Sequence, residues 1–485
     1  MSHNNYTVNK ISDVEYRIDS NTKQGMNVPC TIYADESLLK KMQTDRTIYQ
    51  AINVTHLPGL YKHVIVLPDG HEGYGFPIGG VAASDAETGV VSPGGVGYDI
   101  NCGVRLIRTS LHAQDVKSRL KDLLKLLYVS VPSGLGSKSK LRLNTGELNK
   151  VLSEGVNWAI ANGYGQTKDA EFCEENGSMK NADPSQVSNI AKKRGSPQLG
   201  SLGSGNHFIE IQYVDKIFDK EAASIYGISE EKQIMVLVHT GSRGLGHQIC
   251  SDYLKLIESS AHKYNIHLPD RELACAPITS KDAENYIGAM GAALNYAWSN
   301  RQMITHWVRK SFERIFQMSE NDLEMQLVYD VAHNIAKFEE HLIDGQRKKV
   351  IVHRKGATRA FPPGSSEIPD AYSSVGQPVL IPGSMGTSSW VLRGTLESMK
   401  SSFGSTAHGA GRIMSRGAAI RAFPPQVVKQ RLEDKGISIE AASWKGISEE
   451  APDAYKDVEA VVNVSHKAGI ATKVARLIPL GVVKG

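Results

Sequence analysis

Asp99 and Cys102 stand three residues apart in Pro93-Gly94-Gly95-Val96-Gly97-Tyr98-Asp99-Ile100-Asn101-Cys102-Gly103, among glycines that permit sharp turns. A carboxylate and a thiolate so placed can share one metal ion. A structural cysteine beside a turn aspartate has the same spacing, since a free cysteine is often just a small core residue. Three more segments bring imidazoles: Gly203-Ser204-Gly205-Asn206-His207-Phe208-Ile209-Glu210, His239-Thr240-Gly241-Ser242-Arg243-Gly244-Leu245-Gly246-His247, and Ala332-His333-Asn334. Any one of these histidines alone reads as a satisfied core or surface group. Taken together, Asp99, Cys102, His207, His239 and His333 offer one carboxylate, one thiolate and three imidazoles. Such a set holds two metal ions if the thiolate bridges them. Donor softness alone points to Zn²⁺.

Two loops rich in small residues follow. They are Pro382-Gly383-Ser384-Met385-Gly386-Thr387-Ser388-Ser389 and Ser405-Thr406-Ala407-His408-Gly409-Ala410-Gly411-Arg412. Small residues leave backbone N–H groups open to a phosphate or nucleotide. Neither loop is a P-loop, which needs a Lys-Ser or Lys-Thr pair after its last glycine. His408 is sterically open, as a nucleophile must be; a surface histidine in a tight turn looks the same.

The elements that must position these groups are short β-branched runs. Strands are expected at Val64–Leu67, Val104–Thr109, Phe208–Tyr213, Ile234–Val238, Val350–Val352, Val379–Ile381 and Val461–Val464. Helical patterns fall near 115–127, 147–161, 248–264, 281–317 and 330–343. The long one opens at Thr279-Ser280-Lys281-Asp282, a capping-box-like start. Asp69, His239 and His353 follow strands, and Asn206-His207 precedes one, so the chemistry sits at rigid strand ends. Strands and helices mix without strict βαβ alternation, which favours an α+β class.

A chain of 485 residues leaves room for two or three domains. No Pro/Ser-rich linker or block of like charge divides it, so one large domain over 1–485, with mixed sheets flanked by helices, is expected. The pentapeptide Arg-Ala-Phe-Pro-Pro recurs at 359–363 and 421–425, which is no repeat architecture. Five scattered cysteines make no disulfide framework. The start MSHNNYTVNK lacks an apolar signal region, and no apolar run approaches the length of a membrane span. A reducing compartment, the cytoplasm or a nucleus, is expected. A net charge of +4 neither identifies nor excludes a nucleic-acid binder.

Five segments, read in order, resemble one family. They are Pro68-Asp69-Gly70-His71-Glu72-Gly73-Tyr74-Gly75, Asp99-Ile100-Asn101-Cys102-Gly103, Gly205-Asn206-His207-Phe208, His239 to Gly246 and His408-Gly409-Ala410-Gly411-Arg412. Together they are similar to the RtcB family of RNA ligases, in its archaeal and eukaryotic form, over nearly the whole chain. The resemblance implies an RtcB-like fold and a GTP- and Mn²⁺-dependent ligase. Such an enzyme joins an RNA 3′-phosphate or 2′,3′-cyclic phosphate to a 5′-hydroxyl, as in tRNA exon ligation. It replaces Zn²⁺ by two Mn²⁺ ions, Cys102 bridging them, Asp99 and His207 on one, His239 and His333 on the other. His408 becomes the guanylylated nucleophile and Asp69 the carboxylate that orients it.

The implied GTP pocket comprises Asn206, His207, Phe208, Ile209, Glu210, His333, Asn334, Pro382, Gly383, Ser384, Met385, Ser389, His408, Gly409, Ala410, Gly411, Tyr455 and Lys484. Arg194, Arg243, Lys355 and Arg412 are candidates for RNA phosphates, because such cations match phosphate oxygens. Implied partners are RNA ends, with an archease-type activator protein left open. A metal-dependent phosphodiesterase would need the same donors but has no use for His408. A non-catalytic RNA-binding subunit would need neither.

Overall fold

The computed structural model describes residues 6–485, apart from the side chains at 261 and 262; the first five residues of the polar start lie outside the described residues. Two large sheets organise the fold. One has seven strands, in the order Asn9–Lys10, Glu15–Ile18, Cys30–Tyr33, Val64–His71, Ile78–Asp85, Gln346–Lys355 and Asn334–Ile343. The other has eight. Its path runs Gln326–Ala332, Gly103–His112, Gln233–Thr240, Phe208–Ile217, Ala471–Lys484, Ser389–Gly394 and Pro378–Ile381, and Ser438–Ala441 pairs alongside Ala471–Lys484. Pairing is mostly antiparallel, with helices packed around the sheets, which is the α+β class expected.

Lys281–Phe316 is one helix, as its pattern predicts. Ser280 caps it by accepting from the Ala283 N–H at 3.2 Å. It is buried on nearly all sides and forms the centre of a core shared with the eight-stranded sheet. The pattern near 115–127 splits into Ala113–Lys117 and Leu120–Ser130, and that near 147–161 into Thr145–Glu154 and Val156–Ala161. The one near 248–264 falls in Arg243–Lys263.

Two expectations are corrected. Residues 330–343 are not a helix but the end of strand Gln326–Ala332 and all of strand Asn334–Ile343. In the latter strand Lys337, Glu339 and His341 are buried, while Phe338 and Leu342 are exposed. The charges face inward, so the apolar spacing marks the wrong face. Val461–Val464 is not a strand but part of helix Val458–Lys467, capped by Asp457, whose carboxylate accepts from the Glu459 N–H. Its β-branched residues are buried, so packing overrides their strand propensity. The two Arg-Ala-Phe-Pro-Pro copies also differ, one leaving a strand at Arg359 and the other closing helix Arg416–Ala422.

Register places the site. Ala332 pairs with Gly103, Gly103 with Thr240, His239 with Phe208, and Phe208 with Lys484. One end of the eight-stranded sheet therefore gathers Cys102, His239, His207 and Lys484. His333 is the single residue between a strand of that sheet and Asn334–Ile343 of the other. Asp69 rides on Val64–His71 of the seven-stranded sheet. The site lies at the seam, so neither sheet carries it alone. Among the described residues no helix is long and apolar enough to cross a membrane.

Candidate active site and metal centre

Cys102 sits in a tight turn in which its N–H donates to the Asp99 carbonyl at 2.9 Å. The turn needs Asn101 at φ 53°, and two groups hold it there. The Asn101 amide donates to the Leu294 carbonyl, and the Arg301 guanidinium donates to both the carbonyl and the side-chain oxygen of Asn101. Arg301 also donates to the Thr240 carbonyl at 2.8 Å and to Asp330 at 2.7 Å. One buried cation thus ties together the three segments that present Cys102, His239 and His333. Gly241 is required here: a Cβ would stand 2.5 Å from an Asp99 carboxylate oxygen.

His207 Nδ1 lies 3.1 Å from the Leu202 carbonyl, which only accepts, so Nδ1 bears the hydrogen. In the neutral ring Nε2 is then a bare lone pair. It faces Asp99 Oδ2 at 2.9 Å and Cys102 Sγ at 3.6 Å. The donor atoms of Asp99, Cys102 and His207 all lie within 4.8 Å of one another. His239 Nε2 approaches the same sulfur at 3.3 Å. His333 Nδ1 meets Thr358 Oγ1 at 2.9 Å, while its Nε2 is buried without a partner among the described residues. Converging lone pairs fit a metal centre, and the bonds at the far nitrogens of His207 and His333 fix the orientation of those two rings, as ligating histidines require.

The electrostatics agree. Burial and the Asp99 charge push the Cys102 thiol well up, so a thiolate there needs a cation beside it. Burial pushes His239 and His333 well down, into the neutral, ligating form. Burial alone would raise the Asp99 carboxyl; without a metal a proton on His207 Nε2 outweighs it and holds the carboxyl low, and with His207 neutral and ligating a bound cation would take that place.

His408 follows strand Ser405–Ala407. Its Nδ1 is 2.5 Å from Asp69 Oδ2, which also accepts from the His408 N–H at 2.8 Å and the Gly409 N–H at 3.3 Å. Burial raises the Asp69 carboxyl, yet these contacts and the His408 charge bring it below its ordinary value. With Nδ1 engaged, Nε2 is the nitrogen left for chemistry. The rings of His207, His239, His333 and His408 form a row with centroids 5.2 to 5.7 Å apart.

A cavity of about 810 Å³ opens along this row. Its wall includes Asn206, Phe208, Pro382 to Met385, His408 to Arg412, Tyr455 and Lys484. Ile209 is instead fully buried in the core, and Glu210 and Ser389 stand behind the wall. Ser389 Oγ accepts from the Gly383 N–H at 3.1 Å and so supports that loop from behind. Glu210 is raised to about 8 by burial, and one of its oxygens has no partner among the described residues. Lys484 donates to the Gly205 and His207 carbonyls and lies 4.0 Å from Glu450. The Asn334 side chain is spent on the Asp99 carbonyl and the Gly356 N–H, each at hydrogen-bond distance.

Of the phosphate candidates, Lys355 donates to the Tyr74 and Phe76 carbonyls and burial lowers it to about 8. Arg412 is held by Glu450, Tyr455 and two backbone carbonyls. Arg243 is nearly buried against Ser201, and Arg194 is exposed beside Gln248. Sequence reasoning missed several residues. Arg301, Thr358, Glu450 and Lys456 support the site, and Lys456 donates to the Gly70 carbonyl next to Asp69. No spacing signals them. Tyr98, His247 and Arg416 on the cavity wall were also missed, although the first two lie inside the motif segments.

The family model described as "tRNA-splicing ligase RtcB" matches residues 50–485. The chain belongs to the RtcB family. Its relatives named "tRNA-splicing ligase RtcB" include that of Thermococcus kodakarensis, 57% identical over 476 residues and 98% of each chain. That of Methanococcus maripaludis is 56% identical over 479 residues and 99% of each chain. That of Pyrobaculum aerophilum is 56% identical over 483 residues, 99% of this chain and all of the other. The RtcB match spans every residue from Asp69 to Lys484 that builds the site.

Proposed function

We propose that this chain, read as one ligase domain, is a GTP- and Mn²⁺-dependent RNA ligase that joins 3′-phosphate or 2′,3′-cyclic phosphate ends to 5′-hydroxyl ends. The names of its relatives support tRNA exon halves as substrates. The observation that carries the reading is His408. Asp69 occupies its Nδ1, and its ring abuts His333 in the donor cluster.

Asp69 fixes the His408 tautomer and stabilises positive charge on the ring, as in a catalytic triad. The Nε2 lone pair attacks the GTP α-phosphorus and pyrophosphate leaves, giving a guanylylated imidazole. After a cyclic end is opened, the RNA 3′-phosphate takes GMP from His408, and the 5′-hydroxyl then displaces GMP. Asp99, Cys102 and His207 would hold one Mn²⁺ and Cys102, His239 and His333 the other; bound there, the ions supply positive charge to the phosphate oxygens. Lys484 and the open backbone of the 382–385 loop, which line the cavity, would bind the nucleotide. The buried Lys484 ammonium is pushed down by burial, so an added anion would favour its charged form.

The test is incubation with α-labelled GTP and Mn²⁺. Wild type should retain label, and His408→Ala should not. Label retained equally by His408→Ala would reject the assignment. No label on either, with cyclic phosphate still hydrolysed, would favour the phosphodiesterase.

A further inference from the structure

Tyr74, Tyr98 and His247 line the same cavity but have no part in the chemistry above. Their rings form a second row. Tyr74 meets Tyr98 edge-on at 5.7 Å, and Tyr98 stacks with His247 at 5.3 Å and 25°. Both tyrosines pack on the core yet stay half-buried, and His247 is exposed. A contiguous, partly exposed aromatic surface at the mouth of a cavity is a binding feature.

Its place gives it an occupant. The histidine row ends in His408 on one side and in His207, bonded to Asp99, on the other. Tyr98 directly precedes Asp99, so the aromatic row joins the end remote from His408. In the sealing step GMP departs from the RNA phosphate, and the two loops of small residues, 382–385 and 408–411, meet at the His408 end, Gly409 against Pro382. An in-line displacement puts the attacking oxygen opposite the leaving group. The 5′-hydroxyl therefore enters from the Asp99–His207 end, past Tyr98. Charge orients the strand: Arg194 is bonded to Gln248, next to His247, whereas the exposed Asp45 and Glu72 line the cavity near Tyr74. Phosphates are drawn to the arginine side and the bases lie toward the rings.

The geometry points to Tyr98 and His247, extended by Tyr74, as a stacking platform for the first bases of the 5′-hydroxyl RNA strand. This rests on the ligase reading. Stacking accepts any base, so the platform gives affinity without sequence choice.

The test is fluorescence anisotropy with a labelled 5′-hydroxyl RNA hexamer and the same hexamer abasic at its first two nucleotides. Tyr98→Ala should bind the intact strand about tenfold more weakly than wild type, with Tyr98→Phe restoring binding. The abasic strand should bind wild type and Tyr98→Ala alike. Equal losses for both strands, or no loss for either, would overturn the platform. Labelling of wild type by GTP, read on the same preparation, separates the two claims. If label forms and the base-dependent loss is absent, the platform alone fails; if no label forms, the ligase reading fails and takes the platform with it.

Discussion

Arg105, Arg301 and Asp330 are fully buried, and so, within a few percent of exposed surface, are Cys102, His239 and His333. The first group is saturated. Arg105 donates to Asp330, Gln302, Thr305 and the Cys173 sulfur, and Arg301 donates to Asp330, Asn101 and Thr240. The second group is short of partners: among the described residues His239 Nδ1 and His333 Nε2 have none, and beside them the His207 lone pair faces a carboxylate. Buried polar groups are expensive unless bonded. A saturated cluster is therefore scaffold, complete by itself. A starved one beside a cavity is built for something that arrives later.

Breaking the saturated side should have the largest effect on stability. Asp330→Ala leaves two buried guanidiniums uncompensated, and urea unfolding should show a loss of about 3–5 kcal/mol. On the starved side the effect moves to chemistry. Asp69→Asn should slow labelling by GTP on the order of 10²–10⁴-fold, because the wrong tautomer is held. Its unfolding midpoint should shift far less than that of Asp330→Ala. A large loss of stability with normal labelling would make Asp69 scaffold instead.

Titration sharpens the contrast, since two carboxylates should act with opposite sign. Glu175 is held down at about 2, chiefly by Lys337 and against the effect of burial. Its folded value lies below its unfolded one, so its stabilisation is present above about pH 4.5 and is lost as pH falls toward 2. Glu210 is raised to about 8 by burial. Above about pH 4.5 the unfolded chain releases that proton while the folded one keeps it, so stability declines up to pH 8. Glu210→Gln should remove the second slope in ligand-free protein, and Glu175→Gln the first. A smaller effect is expected at the C-terminus: deleting Lys484-Gly485 should reduce labelling by GTP, measured at equal protein, while unchanged yield would remove Lys484 from the nucleotide site.

Much of this contrast was legible in the sequence on one side only. Donor residues announce themselves by type, and Asp69, Asp99, Cys102, His207, His239, His333 and His408 do come together. The saturated side gives no such sign. Arg301 reads as one more polar residue in a long helix, and its role exists only because a turn at Asn101 and a strand end at Thr240 meet it in space. Strand Asn334–Ile343 was misread for the same reason: Glu339 is buried because Arg354 donates to it, and nothing local in the sequence marks that pairing. Ile209 and Glu210 were placed in the pocket by motif, but strand alternation turns Ile209 into the core.

The claim that the starved cluster is a ligand site is tested most directly by equilibrium dialysis of metal-free protein against Mn²⁺. Wild type should hold two ions per chain. Cys102→Ala should hold fewer, while its metal-free form unfolds at the same urea concentration within about 1 kcal/mol. Equal ion content in both proteins would contradict the account.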